Sequence, residues 1–174
     1  QAMGGGKTHL LSALGLLAQY PAQRANVLPP DVMDRLDGTA ARVAVFDGRD
    51  SPDHYLWGEI AKQLGAEEEM RPFWQNGARA PGKEHWKQMI GDRATLILFD
   101  ELPPYFLEAR TVAIGNGTLV DVLTRALSNL FVAALELPRC CIVLANLTDS
   151  YQDQVKEVRK VVADVQREAS RQAK

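Results

Sequence analysis

The run "ATLILFD" at 94–100 constrains this chain most. Its apolar residues follow one another without alternation, so both faces of the segment require cover. That is the pattern of a strand inside a parallel sheet with helices on both sides; a strand with one wet face alternates. "RVAVFDG" at 42–48 reads as a compact strand ending in a turn, and "CCIVLAN" at 140–146 as another buried strand. Helical patterns separate them. Leu10, Leu11, Leu14, Leu17 and Ala18 recur at helical spacing from Lys7 to about Tyr20. Ala13 and Leu16 widen that stripe, which predicts burial on more than one side. "YLWGEIAKQLG" and "GKEHWKQMIG" each carry a glycine suited to a C-terminal cap, within a helical excursion over 49–94. Thr118 opens a long apolar helix to Leu137, with Asp121 placed to support its start. Residues 21–41, with Pro21, Pro29 and Pro30, read as a surface connection with a short helix near Asp31–Leu36. Leu102 to about Gly117 reads as a long loop, in which Tyr105 and Phe106 are expected to pack over the strand ends. Alternating strands and helices predict an α/β sandwich with a mostly parallel sheet.

At 174 residues the chain suits one domain with a real core. A net charge of −2 gives no general attraction to nucleic acid. Cys140 and Cys141 are adjacent and have no other cysteine to pair with, which fits a reducing compartment. With no apolar stretch of bilayer length and no signal-peptide pattern, the expected location is cytoplasmic, away from membranes. The tryptophans Trp57, Trp74 and Trp86 read as core or surface-cluster residues.

The chemistry begins at "QAMGGGKTH". A phosphate-binding loop reads G-x-x-x-x-G-K-[ST] and opens a helix. Gly6, Lys7 and Thr8 supply its last three positions, and Gln1 stands where its first glycine belongs. Glycines let backbone amides turn toward phosphate oxygens, the lysine reaches the β- and γ-phosphates, and the threonine hydroxyl ligates magnesium. Gly4, Gly5, Gly6, Lys7, Thr8 and His9 are the candidate ATP-binding residues. A terminal glycine run is more often a linker, so this segment does not decide alone.

"LILFDE" at 96–101 is an apolar strand ending in two carboxylates, the Walker B form. Asp100 is the candidate magnesium ligand with Thr8, and Glu101 the candidate for polarising the attacking water. A buried strand ending in an acidic turn is common, but that alternative does not account for the GKT-plus-helix upstream. Asn146, closing the next strand, is a candidate contact for the γ-phosphate or the water, although asparagine is also an ordinary turn residue. Lys7, Glu101 and Asn146 form the expected catalytic set. The expected fold is then a P-loop NTPase three-layer sandwich. Arg110 is one of several equally placed candidates for an arginine finger, with Arg139 and Arg159. Asp47 and Arg49 are expected to shape the ligand-binding edge rather than do chemistry.

"MGGGKTH", "VFDGRDSPDHYLWGEIAKQLG", "PGKEHW", "LILFDELPPYF", "GTLVDVLTRALSNL" and "ALELPRCCIVLANL" resemble a family of large prokaryotic AAA+-like ATPases, long catalogued only as a domain of unknown function. The resemblance covers most of residues 3–150. Members of that family are often encoded beside DNA methyltransferases and helicases in phage-defence or restriction-like clusters. It implies magnesium-dependent ATP binding and hydrolysis, carried by Lys7, Thr8, Asp100, Glu101 and Asn146. It also implies methyltransferase- or helicase-type partners, indirect work on DNA and self-association. Family members are far longer, so the chain is expected to be a fragment. It would lack the first core strand, a fifth strand and a helical lid. Residues 1–150 would form an incomplete ATPase core. Residues 151–174 would form a charged helix with Val155, Val158, Val162, Val165 and Ala169 along one stripe. A nucleotide-gated interaction module with slow hydrolysis is the alternative. A small-molecule kinase is disfavoured, because an Asp–Glu pair at a strand end suits water activation.

Overall fold

A computed structural model describes residues 5–145 together with Lys160, Ala163 and Arg167. In chain order its elements begin with α1 (Gly5–Gln19), α2 (Pro30–Met33), β1 (Arg42–Asp47), α3 (Tyr55–Leu64), α4 (Glu67–Met70) and α5 (Lys83–Ile90). They continue with β2 (Thr95–Asp100), α6 (Leu102–Ala109), β3 (Ala113–Ile114), β4 (Gly117–Thr118), α7 (Leu119–Glu136) and β5 (Cys140–Leu144). β1, β2 and β5 form a parallel sheet with β2 in the middle, in which Asp47 pairs with Asp100 and Phe99 with Leu144. β3 and β4 make a small antiparallel ribbon. The architecture is mixed α/β around a parallel sheet, as the unbroken apolar run requires.

β2 is buried at every position, and its alternation divides the interior in two. Ile97 and Phe99, with Ala44 and Phe46 of β1, face the main core built by α3, α5, α6 and α7. Segment 49–94 is therefore packed into this core through Trp57 and Trp86. The indole N–H of Trp57 donates to the Phe73 carbonyl, and that of Trp86 to the Ala126 carbonyl, both at 3.1 Å. Neither ring therefore buries an unmet donor. Leu96 and Leu98 face the other way, onto Leu11 of α1.

α1 runs antiparallel to the strands: the carbonyl of Ala18, near its C-terminus, accepts the N–H of Ala41 just ahead of β1. The buried Arg24 guanidinium bonds the carbonyls of Leu17, Ala18 and Thr39, supplying a cation where a helix end favours one. The helix meets the sheet on one side only, contrary to its wide apolar pattern. Leu11, Gly15 and Ala18 form the contact stripe, while Leu10 and Leu16 are 70% and 57% exposed. Gly15 sets the approach, since a Cβ there would lie 3.3 Å from Leu98 Cδ1.

Two further expectations are corrected. The segment from Leu102 to Gly117 is not one loop: it holds α6 and most of the β3–β4 ribbon. Pro103 and Pro104 sit in the first turn of α6, where a missing N–H costs nothing. Tyr105 and Phe106 are buried in the core by that helix. β5 is less covered than its sequence suggests, because it lies at the end of the sheet among the described residues, with Cys141 exposed. Both cysteines are free, and burial pushes the Cys140 thiol up to about 11, keeping it protonated. At the opposite end of the sheet among the described residues, the Gln63 side chain bonds both the N–H and the carbonyl of Val45 at 2.8 Å, along the outer edge of β1.

Thr118 caps α7: its backbone N–H donates to the Asp121 carboxylate at 2.8 Å, and that bond holds Asp121 below the usual carboxylate range. Its far end is tied to α5 where Glu136 accepts from Lys83 and Lys87 at 2.7 and 2.8 Å. No helix among the described residues is long and apolar enough to cross a membrane.

Trp86 is fully buried between α5 and α7. Trp86→Ala is expected to destabilise the fold by about 3–5 kcal/mol, measured by denaturant titration. A midpoint close to that of the unaltered chain would contradict the packing described.

Candidate functional site

Three segments converge at the carboxyl edge of the sheet: the first turn of α1, the turn after β1 and the turn after β2. Thr8 and Asp100, 92 residues apart, are joined there by a hydrogen bond from Thr8 Oγ1 to Asp100 Oδ2 at 2.7 Å. Strand parity explains the meeting. Asp100 follows Leu96 and Leu98 on the α1 side of β2, and the antiparallel run of α1 delivers its N-terminal turn to the strand end. Asp100 is 6% exposed, and its Oδ1 is buried without a hydrogen-bond partner among the described residues. A buried carboxylate oxygen left unmet carries its full desolvation cost, so it marks a place for an ion or water.

Glu101 would alternate to the opposite side if the strand continued. Instead its backbone turns into the left-handed region, at φ 45° and ψ 46°, a conformation costing roughly 1–2 kcal/mol for a residue with a side chain. Strain of this kind gathers at functional sites. The Glu101 carboxylate there forms an ion pair with Arg49. Gly48 makes the approach possible: its N–H donates to the Asp100 carbonyl at 2.8 Å, and a Cβ on it would stand 1.9 Å from the Glu101 carbonyl oxygen. Only glycine fits between these two strand ends. Asp47 closes the turn, with Oδ1 accepting the Arg49 N–H at 2.9 Å. Ser51, further along the same turn, donates to Glu108 of α6.

A cavity of about 370 Å³ opens between α1 and the sheet, with Thr8, Ser12, Asp47 and Asp100 in its wall beside Leu11 and Leu98. Gly5 and Gly6 lie in the first turn of α1, and Lys7 and His9 are exposed there. The structure thus brings Thr8 and Asp100 into contact, with Lys7 in the same helical turn and Glu101 next along the chain. Gly4 and Asn146 lie outside the described residues, as do Arg159 and the whole C-terminal stripe of Val155, Val158, Val162, Val165 and Ala169. Arg139 belongs to the opposite edge of the sheet, where its carbonyl accepts the Thr95 N–H and its guanidinium pairs with Asp37 at 3.7 Å. Arg110 is exposed at the end of α6.

Sequence reasoning undervalued Asp47, Gly48 and Arg49. The signal was available in the parallel endings "VFDG" and "LFDE", which in-register strands bring side by side. Among the described residues, no three His, Cys, Asp or Glu side chains gather as a metal cage. Magnesium does not need one: it is usually held by one or two carboxylates, with water and substrate phosphates completing its shell. A hydroxyl and an orphaned carboxylate oxygen fit that ion.

No family model, curated protein or solved structure matches the chain.

Gly48→Ala is expected to push the two strand ends apart and cost about 1–3 kcal/mol, measured by thermal unfolding. An unchanged melting midpoint would mean that the strand ends are not in the contact described.

Proposed function

We propose that this domain binds ATP with magnesium and hydrolyses it, as a P-loop ATPase of AAA+-like type. One observation carries the reading: the hydroxyl that follows the GGGK run is bonded to the carboxylate that ends the central apolar strand, and that carboxylate keeps an orphaned oxygen. A glycine-rich linker has no reason to meet a buried aspartate. The strand order β1-β2-β5 supports the P-loop reading, because it puts "LILFDE" in the middle of a parallel sheet.

In this reading the first-turn amides and Lys7 meet the β- and γ-phosphates, aided by the field at the helix N-terminus. Thr8 and Asp100 would hold magnesium, which when bound neutralises charge on those oxygens. Glu101 orients a water molecule and takes its proton as the water oxygen bonds to the γ-phosphorus, while the bond from that phosphorus to the bridging oxygen breaks. Asn146 would contact the γ-phosphate or the water. A place beside DNA methyltransferases and helicases in a phage-defence or modification system rests on the sequence resemblance alone, and a cytoplasmic location on the cysteine usage and the lack of a bilayer-length apolar stretch.

The nucleotide-gated module draws on a different observation. Arg49 already engages Glu101, so the carboxylate must leave that ion pair before it can serve a water molecule. Slow hydrolysis follows if the pair persists with ATP bound.

Glu101→Gln is expected to keep ATP binding and lower turnover by roughly 10²–10⁴-fold, the usual contribution of a general base. Binding by fluorescent-nucleotide titration and turnover by phosphate release check this on the full chain. Undiminished turnover would remove Glu101 from the reaction. In the same assay Arg49→Ala separates the two readings: faster hydrolysis supports a gate, and an unchanged or slower rate supports a constitutive ATPase.

A further inference from the structure

The ends of β1 and β2 hold two carboxylates, and the functional reading above uses only one. Asp47 and Asp100 occupy the last paired position of neighbouring parallel strands. Residues in register point to the same face of a sheet. Here that face is the one toward α1, since Val43 and Val45 precede Asp47 with the same parity that Leu96 and Leu98 have before Asp100. Both aspartates enter the wall of the same cavity, together with Thr8.

Asp47 has an ordinary job in its turn, where Oδ1 accepts the Arg49 N–H. That job calls for an oxygen and not a charge; asparagine or serine would do it. It does not explain a second carboxylate one strand spacing from a buried one. Two carboxylates so placed offer oxygen ligands to one shared space, which a hard divalent cation accepts together. Asp100 meanwhile is more than nine-tenths buried, with Oδ1 unpartnered among the described residues and its side chain in the cavity wall. A partly hydrated divalent ion satisfies both conditions, because it accepts one or two carboxylates and keeps water on its remaining positions.

We propose that Asp47 is a second carboxylate of the cation site, holding a magnesium-sized divalent ion jointly with Asp100 and Thr8. This rests on the magnesium reading above and extends it from one strand to two. The ion spans the ends of β1 and β2, so the turn at Gly48 and Arg49 is fixed by the same cation as the strand carrying Glu101. Ligation by Asp47, directly or through a bound water, makes metal affinity depend on a residue outside both sequence motifs.

Manganese serves as the spectroscopic probe, titrated into the full chain by electron paramagnetic resonance, alone and with ADP. Asp47→Asn keeps the turn's oxygen acceptor and removes the charge. It is expected to weaken Mn²⁺ binding roughly 10–100-fold, the loss typical of a supporting metal partner, while leaving the metal-free melting midpoint unchanged. Asp47→Glu is expected to recover part of the affinity, and Asp100→Asn to lose more than Asp47→Asn. If Asp47→Asn fails to fold, Asp47→Ser, which also offers the turn an oxygen, is expected to show the same loss. Weakened binding in Asp100→Asn with full affinity in Asp47→Asn or Asp47→Ser would overturn the inference and leave the functional reading standing. Absence of Mn²⁺ binding by the unaltered chain, with and without ADP, would overturn both.

Discussion

The burial of β2 on both faces and along both edges is the constraint that organises everything else. Its backbone is paired with β1 on one side and β5 on the other, and its side chains divide alternately between α1 and the main helical layer. Such a strand has no exit at its sides. Only its ends reach the surface, and its polar residues must gather there. Asp100 and Glu101 therefore emerge at a fixed edge, and the antiparallel run of α1 brings Thr8 to the same edge. The site is a consequence of layer geometry before it is a consequence of any motif.

The energetics of that edge are uneven. The main core carries two fully buried tryptophans with satisfied indoles and several aromatic rings, so it anchors the strands from one side. The α1 side is thin: Leu11 is the buried large side chain that α1 itself contributes, against Leu96 and Leu98 of β2, and Gly15 sets the spacing. Strain at Glu101, roughly 1–2 kcal/mol, is thus borne by the well-packed side, where Leu102 and Phe106 follow directly into the core. The first turn of α1, by contrast, meets the strands through the hydrogen bond from Thr8 to Asp100, and Gly6 to Leu10 are exposed.

Much of this was legible in the residues because apolar continuity and helical spacing are local signals. The unbroken run at 94–100 announced the central strand, and Gly65, Gly91 and Thr118 mark helix boundaries through their own backbone chemistry. Two failures share one cause. Pro103 and Pro104 read as loop residues because a sequence does not reveal whether a proline falls in a helix's first turn or its interior. The leucines of α1 read as buried because periodicity counts apolar residues without knowing how much of the sheet is there to cover them. At the site, Thr8 and Asp100 carried recognisable motifs. Asp47, Gly48 and Arg49 did not, because their roles depend on strand register, which is not written in either strand alone. Gly48 in particular looks like any turn glycine until Glu101 is seen against it.

One small contact bears on the chain's behaviour in a crowded solution. The carboxamide of Gln63 offers Val45 a donor and an acceptor at 2.8 Å each, as the peptide group of a neighbouring strand would. It is a counterfeit strand one residue long. An extended segment of another molecule seeking that margin must first break two hydrogen bonds, and Val45 itself is 43% exposed and would otherwise invite it. Among the described residues, the Gln63 side chain of α3 thus occupies the polar groups of Val45 on that margin.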